Sequence, residues 1–288
     1  MSHTPRVCAV LLNWNRAEDT LSCLESLRRE QNASLAVLVI DNGSDDDSVS
    51  RLRDALPASD FVSLPENLGF AAGCNLGIRR ALEQHAEYVW LLNNDTQVQP
   101  GCLQALLQSA EENPQIGAVG SVLHYGESGG EIEAWGGGRI YPRMGGTRHM
   151  RHPDEGELDY LVGASLFLRC RALSQVGLLD ERFFLYWEDT DLCQRLIAAG
   201  WGLTTAVDAH VVHKGSASLK AAPVRLDFLF NRSAALYFRK HHAWPSVPIV
   251  IGGLARSLKR LFGGEGGRFV AVWRGLLAGY RFRSDSVL

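Results

Sequence analysis

The sequence predicts an α/β protein: a mostly parallel sheet flanked by helices, with a C-terminal helical extension. Three observations carry this. Four short apolar runs alternate with helix-like segments over roughly the first 120 residues. Each run stops abruptly at polar residues dominated by Asn, Asp and Gly. Beyond residue 223 the pattern changes to longer amphipathic segments rich in Arg and Lys.

Arg6–Leu12 (RVCAVLL) has the unbroken apolarity of a strand buried on both faces. Asn13-Trp14-Asn15 closes it, and Asn15 with Glu18 three residues on resembles a capping box. Leu21, Leu24 and Leu27 then give helical spacing to about Glu30. Leu35–Ile40 (LAVLVI) is a second buried strand, stopped by Asp41-Asn42-Gly43-Ser44. Asp45-Asp46-Asp47 opens a short helix, where acids suit the positive helix end. Phe61–Leu64 is a third strand, Pro65–Gly69 a loop and Phe70–His85 a helix. Tyr88–Leu92 (YVWLL) is the fourth strand and ends in Asn93-Asn94-Asp95. Pro100-Gly101 starts a helix that ends near Asn113-Pro114. Four strands alternating with helices make a parallel, Rossmann-like sheet.

Gly117–Tyr125 is a further strand candidate. Residues 126–157 are rich in Gly, charged groups and His, have poor periodicity, and read as a long loop. Tyr160–Arg169 (YLVGASLFLR) returns to strand character. Asp189–Ala199 is a helix closed by Gly200, Leu203–Val212 a last strand, and Val224–His242 an amphipathic helix. Ile249–Phe262 and Phe269–Tyr280 are apolar and basic helices separated by a break at Gly263–Gly267. This divides the chain into residues 1–223, a ligand-binding catalytic domain, and 224–288, a basic helical region.

A hydrophobic content of 46% and a charged content of 21% suit a soluble globular protein. A net charge of −3 gives no whole-protein case for nucleic acid. The balance is uneven, however. Residues 239–288 hold nine basic side chains against Glu265 and Asp285, a net of +7. That asymmetry points to a tail that meets an anionic membrane surface, with a solvated cap or an oligomer contact as the plainer reading. Six scattered cysteines without a C-x-x-C suggest core residues rather than a zinc site or disulfides. No apolar run reaches the ~20 residues of a membrane span. No signal region separates Met1 from the first strand. The expected location is therefore cytoplasmic, peripheral at the inner face of the cell membrane, and the three N-x-S sequons carry no meaning.

No G-x-G-x-x-G follows the first strand, and neither a P-loop nor a nucleophile elbow is present. Asn13, Trp14, Asp41, Asn67, Asn94 and Asp95 instead gather at or just after predicted carboxyl ends of parallel strands, where open α/β sheets bind ligands. Turn chemistry alone explains any one of these ends; four together favour a ligand. Asp41 offers a carboxylate to the imide N–H of a pyrimidine base, and Trp14 a stacking face. Gly69 to Gly73 let a ligand approach the backbone or a helix pack tightly on the sheet. Glu188 and Asp189 fall at a helix N-terminus, which favours ionised carboxylates and marks a general-base candidate. Asp191 reads as the partner of Arg195. His210 and His213 point to opposite faces if extended, so one of them is free to join Asp95 on a metal, with Lys214 near phosphate. His149, His152, His241 and His242 read as solvated.

In order, Asn13-Trp14-Asn15, Asp41-Asn42-Gly43-Ser44, Asn67 to Asn75 (NLGFAAGCN), Asn93-Asn94-Asp95, Gly163-Ala164, Asp180 to Phe184 (DERFF), Trp187 to Leu192 (WEDTDL) and His213-Lys214-Gly215-Ser216 resemble family 2 glycosyltransferases, rhamnosyltransferase-like branch. The resemblance covers about residues 6–240. It implies a GT-A fold and inverting transfer from a nucleotide-diphosphate sugar, by best guess L-rhamnose from dTDP-L-rhamnose, to a hydroxyl of a glycan or lipid-linked acceptor. It makes Asp41 a base-recognition residue, Asp189 of the Glu188-Asp189 pair the catalytic base, and Asp95 the holder of Mg2+ or Mn2+. It places His213 at the position where related galactofuranosyltransferases complete the metal site. Asn13, Trp14, Asn67, Gly73 and Asn94 fall in the donor-binding blocks. Asn93 stands where the first acid of a D-x-D motif is usual, so the metal depends on the donor's phosphates. The alternatives are a UDP-sugar donor, a non-catalytic nucleotide-sugar-binding module, and a sugar nucleotidyltransferase. The last lacks the glycine-rich basic loop it would need after the first strand.

Overall fold

The apolar runs pair as their patterning requires. The computed structural model describes residues 5–30, 35–126, 130–215 and 222–282. Strands β1 (Val7–Asn13), β2 (Leu35–Asp41), β3 (Phe61–Ser63) and β4 (Tyr88–Asn93) are parallel, in the order β3-β2-β1-β4. Helices α1 (Ala17–Arg28), α2 (Ser48–Ala55) and α3 (Phe70–Glu83) are the crossovers. The chain builds outward from β1 to β3 and then returns to β4 on the other side. That reversal puts a topological switch point at the carboxyl ends of β1 and β4, the place where open α/β sheets bind ligands. Register sets Asn13 opposite Asp41 and Leu12 opposite Asn93.

A core lies on each face of this sheet. Val7, Ala9 and Leu11 of β1 enter one with Leu24, Leu27, Trp90 and Leu106. Cys8 and Val10 enter the other with Ile40, Ile78 and Leu91. The two-residue period of a strand decides which side each residue serves. Helix α3 sits close: a Cβ at Gly77 would come within 2.3 Å of Val10 Cγ1, and one at Gly73 within 2.5 Å of Leu12 Cδ1. All six cysteines are buried and free.

The second half extends the sheet with mixed directions. After β5 (Thr96–Val98) and α4 (Cys102–Glu111) come β6 (Ile116–Tyr125), β7 (Ile132–Trp135), β8 (Gly137–Tyr141), β9 (Gly146–His149), β10 (Tyr160–Leu161) and β11 (Ser165–Arg169). Then α5 (Cys170–Val176), α6 (Glu188–Ala198) and β12 (Gly202–His213) follow. Strand β11 runs antiparallel between β4 and β6, and β12 lies parallel to β6. The full order is β3-β2-β1-β4-β11-β6-β12-β5, with β7 on β6 and a separate small sheet β10-β8-β9.

Several sequence expectations are corrected here. Residues 126–157 are not one loop: β7, β8 and β9 lie within them. These strands are short, and β8 and β9 carry little apolar alternation, which hides them from periodicity. Tyr160–Arg169 is not one strand, because a turn at residues 162–164 sends β10 and β11 into different sheets. Asn15 does not cap α1. It takes φ 54°, and its side chain exchanges hydrogen bonds with Asp45 (2.6 and 2.9 Å). Strand β5 and helix α5 were not anticipated.

Three helices follow: α7 (Pro223–His241), α8 (Ser246–Phe262) and α9 (Gly266–Arg281). They share a third core, Tyr237, Phe238, Ile249, Val272 and Leu276, with Phe183 and Trp187 ahead of α6. Many of the basic residues serve this packing. Asp227 accepts from Arg260 (3.0 Å) and Arg268 (2.6 Å). Arg239 donates to the carbonyls of Gly279 and Phe282, and Arg256 to that of Gly145. Lys240 pairs with Asp180 and Asp191 at 2.7 Å each. Arg283 and Asp285 lie outside the described residues, as does Ser216. No helix among the described residues is long and apolar enough to cross a membrane.

The close seat of α3 is directly testable. Gly77→Val forces a branched side chain into Val10, and such overpacking costs about 2–3 kcal/mol. Urea denaturation should show a lower midpoint at unchanged slope; an unchanged midpoint means α3 has room.

Candidate active site

Polar side chains at the β1–β4 ends form one hydrogen-bonded rim. Asn13 is fully buried; its Nδ2 donates to Asp41 Oδ1 (2.7 Å) and Ser44 Oγ (3.2 Å). The Thr20 hydroxyl donates to Asn13 Oδ1 (2.7 Å), and Asn94 Nδ2 donates to that hydroxyl (3.0 Å). Asp41 is buried beneath these groups. Its two oxygens accept from the Ser44 hydroxyl (2.6 Å) and the Ser44 amide (3.0 Å). Asn42 Nδ2 donates to Asn67 Oδ1 (3.1 Å), which also takes the Gly69 amide (2.9 Å). Gly73 is buried against Leu12 and Asn42. Trp14 is 40% exposed on this rim, with the Arg225 guanidinium 6.0 Å from its ring.

Asp95 follows β4 and is buried, and its Oδ2 has no hydrogen-bond partner among the described residues. Oδ1 faces His213 Nε2 at 3.4 Å, at the end of β12. His213 Nδ1 bonds Glu133 Oε2 of β7 at 2.8 Å. Burial alone would lower the His213 pKa, but the Asp95 and Glu133 carboxylates outweigh it and push it up to about 10. Among the described residues no three acids, His or Cys stand close enough for a preformed metal centre. The pair still suits a hard cation that shares its sphere with phosphate oxygens. Asp95 Oδ2 is an unused buried acceptor, and Glu133 fixes the far nitrogen of His213 as outer-sphere carboxylates do. His210 turns the other way, onto His124 (2.9 Å). Lys214 Nζ pairs with Asp19 (3.3 Å), beside Asp95 through a Lys214 N–H to Asp95 carbonyl bond (3.0 Å).

Asp189 occupies the first turn of α6. Its Oδ2 accepts the Gly163 amide (2.9 Å), and its Oδ1 accepts the Thr190 amide (2.6 Å) and hydroxyl (3.1 Å). Burial raises its pKa, while these donors pull the other way. Glu188 is 5% exposed with Oε2 unpartnered, and burial next to Asp189 holds its pKa well above the usual range. A helix N-terminus favours ionised carboxylates, but desolvation raises the pKa of both here. Asp191 goes the opposite way. Burial opposes ionisation, but hydrogen bonds from His241 and Lys240 and the charge of Arg195 (2.9 Å) keep its pKa low. His241 and His149 are therefore not solvated, contrary to expectation. His241 Nε2 meets Asp191 at 2.7 Å, and His149 pairs with the Tyr160 hydroxyl at 2.9 Å.

The loop before Asp189 is strained. Tyr186 and Trp187 both take positive φ, 69° and 70°, unusual for bulky residues and common at functional sites. Trp187 is clamped by Tyr237, Phe238 and Phe230 of α7, with ring centroids 4.8–5.9 Å away. Ser233 Oγ donates to the Leu185 carbonyl (2.8 Å). Gly69, at φ 90°, lies so close to Phe184 that a Cβ would stand 2.7 Å from its carbonyl oxygen. That carbonyl accepts the first amide of α3 (2.7 Å).

The two acidic centres meet through one turn. Ala164 O accepts the Asn93 amide (3.0 Å) while the neighbouring Gly163 amide donates to Asp189. Sequence reasoning missed Glu133, Thr20 and Tyr160. Glu133 lay in the supposed loop, where the weak alternation of Ile132-Glu133-Ala134-Trp135 is the only signal.

The family model described as glycosyl transferase family 2 matches residues 8–177. The chain is 29% identical over 251 residues to an N-acetylglucosaminyl-diphospho-decaprenol L-rhamnosyltransferase of Mycobacterium tuberculosis, covering 78% of this chain and 82% of that one. It is 26% identical over 269 residues to the dTDP-rhamnosyl transferase RfbF of Shigella flexneri, covering 85% and 82%. The structure of mannosyltransferase PcManGT from Pyrobaculum calidifontis, in complex with GDP-Man and Mn2+, superposes with a TM-score of 0.61 at 17% identity, covering 96% and 75%. The fold is thus the GT-A type that the sequence implied.

The state of Glu188 has a measurable consequence. A raised folded pKa means the folded chain keeps a proton that the unfolded chain has lost. The resulting stability is whole below the unfolded pKa of about 4.5 and is lost as pH rises through the folded value. Glu188→Gln has no such proton to lose. Its melting temperature should rise relative to wild type as pH climbs above about 4.5, and parallel pH profiles would show Glu188 to be ionised.

Proposed function

The chain belongs to glycosyl transferase family 2, and from that premise we propose that it performs an inverting sugar transfer. The donor is a nucleotide-diphosphate sugar, dTDP-L-rhamnose in the first instance. The acceptor is a hydroxyl of a glycan or lipid-linked saccharide in polysaccharide biosynthesis of the cell envelope. The enzyme works as a peripheral protein at the inner face of the membrane. Two relatives whose names specify rhamnosyl transfer, one to a decaprenol-linked acceptor, support this choice.

The observation that carries the reading is the Gly163-Ala164 turn, which ties the Asn93–Asp95 end to Asp189 on one crevice. Asp189 takes the proton of the acceptor hydroxyl as its oxygen attacks the anomeric carbon. The nucleoside diphosphate leaves from the opposite side, so one displacement inverts the centre. A carboxylate with a raised pKa is a stronger base than an ordinary one, and the Gly163 and Thr190 donors limit the rise by favouring the charged form. Burial beside Asp189 pushes the pKa of Glu188 up, which favours its uncharged form next to the base.

Trp14, Asn13, Asn67, Gly73 and Asn94 line the donor side. Asp41 Oδ1 takes both Asn13 and the Ser44 hydroxyl while Oδ2 takes the Ser44 amide, which leaves Oδ2 a lone pair for a base N–H. Asp95 and His213 are the residues that would hold Mg2+ or Mn2+, which when bound neutralises the charge of the departing diphosphate. Binding through Nε2 requires that nitrogen to be free of its proton, and Glu133 keeps the ring aligned through Nδ1.

Two measurements test the assignment. Asp189→Asn should lower transfer from dTDP-L-rhamnose by about 10²–10⁴-fold and leave the donor-induced thermal shift intact; near-normal turnover removes Asp189 as base. Asp95→Asn and His213→Ala should each abolish the part of that thermal shift that depends on Mn2+. A shift unchanged in both variants places the metal elsewhere. A larger shift with UDP-sugars than with dTDP-L-rhamnose overturns the donor.

A further inference from the structure

Helix α8 is built inside out. Its buried positions include Pro248, Gly252, Gly253 and Ser257, with Ile249 as the one large apolar residue. Gly252 and Gly253 let it lie close to Gly145 and to Leu276 and Trp273 of α9. Its outward positions are Val247, Val250, Ile251, Leu254, Leu258 and Leu261, each 40–59% exposed. They recur every three or four residues and form one stripe along the helix. Trp244, 81% exposed, stands just before its first turn, and Phe262, 88% exposed, closes its last. A helix on a water-facing surface carries the reverse pattern, and an exposed apolar stripe of this length marks a contact surface.

The surroundings extend it. Met144, 64% exposed, and Tyr141 sit in the turn between β8 and β9 on which α8 packs. Arg256 Nη1 donates to Gly145 O (2.8 Å) at that junction. The exposed charges next to this surface, Lys259 on the helix and Arg143 in the turn, are both positive, and α8 contains no acid. Five other basic residues that made the C-terminal region look electrostatically sticky are paired within the molecule with Asp227, Asp180, Asp191 and backbone carbonyls.

We propose that the outward face of α8, with Trp244, Phe262 and Met144 around it, docks flat on an anionic phospholipid bilayer and inserts its apolar stripe into the interface. An amphipathic helix lying in the plane buries such a stripe about 5–10 Å deep while basic side chains meet headgroup phosphates. The charge pattern selects lipid over a second copy of the chain, because a self-complementary contact would bring Lys259 and Arg143 against their own kind. Apolar insertion, rather than the net charge of the tail, supplies most of the attraction, so binding resists salt. Given the proposed role of Asp189, docking also sets the acceptor side at the membrane. Strands β8 and β9 run from the α8 contact to the His149–Tyr160 pair on the β10 side of the base.

Flotation of the full chain with phosphatidylglycerol–phosphatidylcholine vesicles, without donor, tests this. Wild type should float, and should still float at 0.5 M salt, where the Debye length falls to about 4 Å. Leu254→Ser with Leu258→Ser should cut partitioning at least about tenfold with an unchanged melting temperature, and Lys259→Gln only about twofold. The surface is wrong if wild type stays unbound, or if the double variant floats as wild type does. It is also wrong if sedimentation shows a dimer that the double variant dissociates while neither protein binds vesicles. The donor-induced thermal shift on the same samples separates the two readings: its failure sinks the transferase assignment and leaves the docking surface standing, and the reverse holds for flotation.

Discussion

Two hydrogen bonds from adjacent residues hold the proposed site together. Ala164 accepts the backbone of Asn93, and Gly163 donates to Asp189. The first is made by the last residue of the turn, which leads into β11, the antiparallel strand between β4 and β6. The second reaches across to the first turn of α6. The carboxylate at the β4 end and the carboxylate of α6 therefore sit on one rigid piece, although 94 positions separate them in the chain. A side chain at Gly163 would press on Asp189, with a Cβ 3.2 Å from its Oδ2.

The acids around that turn show how partners, and not burial alone, decide charge. Glu188, Asp189 and Asp191 are all largely withdrawn from water. Glu188 has no cation against it among the described residues, and burial pushes its pKa up. Asp189 has backbone donors and lies between. Asp191 has Lys240, His241 and Arg195, and stays ionised. Helix α7 supplies two of those three partners, Lys240 and His241, so the C-terminal helices reach into the surroundings of the proposed base. They also restrain its backbone: the left-handed pair Tyr186–Trp187 persists because Tyr237, Phe238 and Phe230 enclose the indole.

The same helices thus face two ways. Inward they present aromatics, cations and small residues, and these brace the loop before α6. Outward α8 presents the aliphatic side chains that a lone globular surface has little use for. Net charge of +7 over residues 239–288 was a misleading guide to that surface, since much of the charge closes internal pairs.

Much of the parallel half was legible in advance. Continuous apolar runs of five to seven residues have few other homes than a doubly covered sheet, and their polar ends mark its carboxyl edge. The order of short motifs was enough to place the chain in its family. What the sequence could not determine was every contact made between distant segments. Glu133 looked like a loop residue because β7 is four residues long and gains its pairing only from β6. His149 and His241 looked solvated because a histidine's partner, Tyr160 or Asp191, is 11 or 50 positions away. The raised pKa of Glu188 follows from desolvation, which depends on what packs over it and not on its place at a helix end. The apolar and basic character of Ile249–Phe262 was plain in the sequence. Which face turns to water was decided by tertiary packing, because only the glycine side fits against Gly145 and α9.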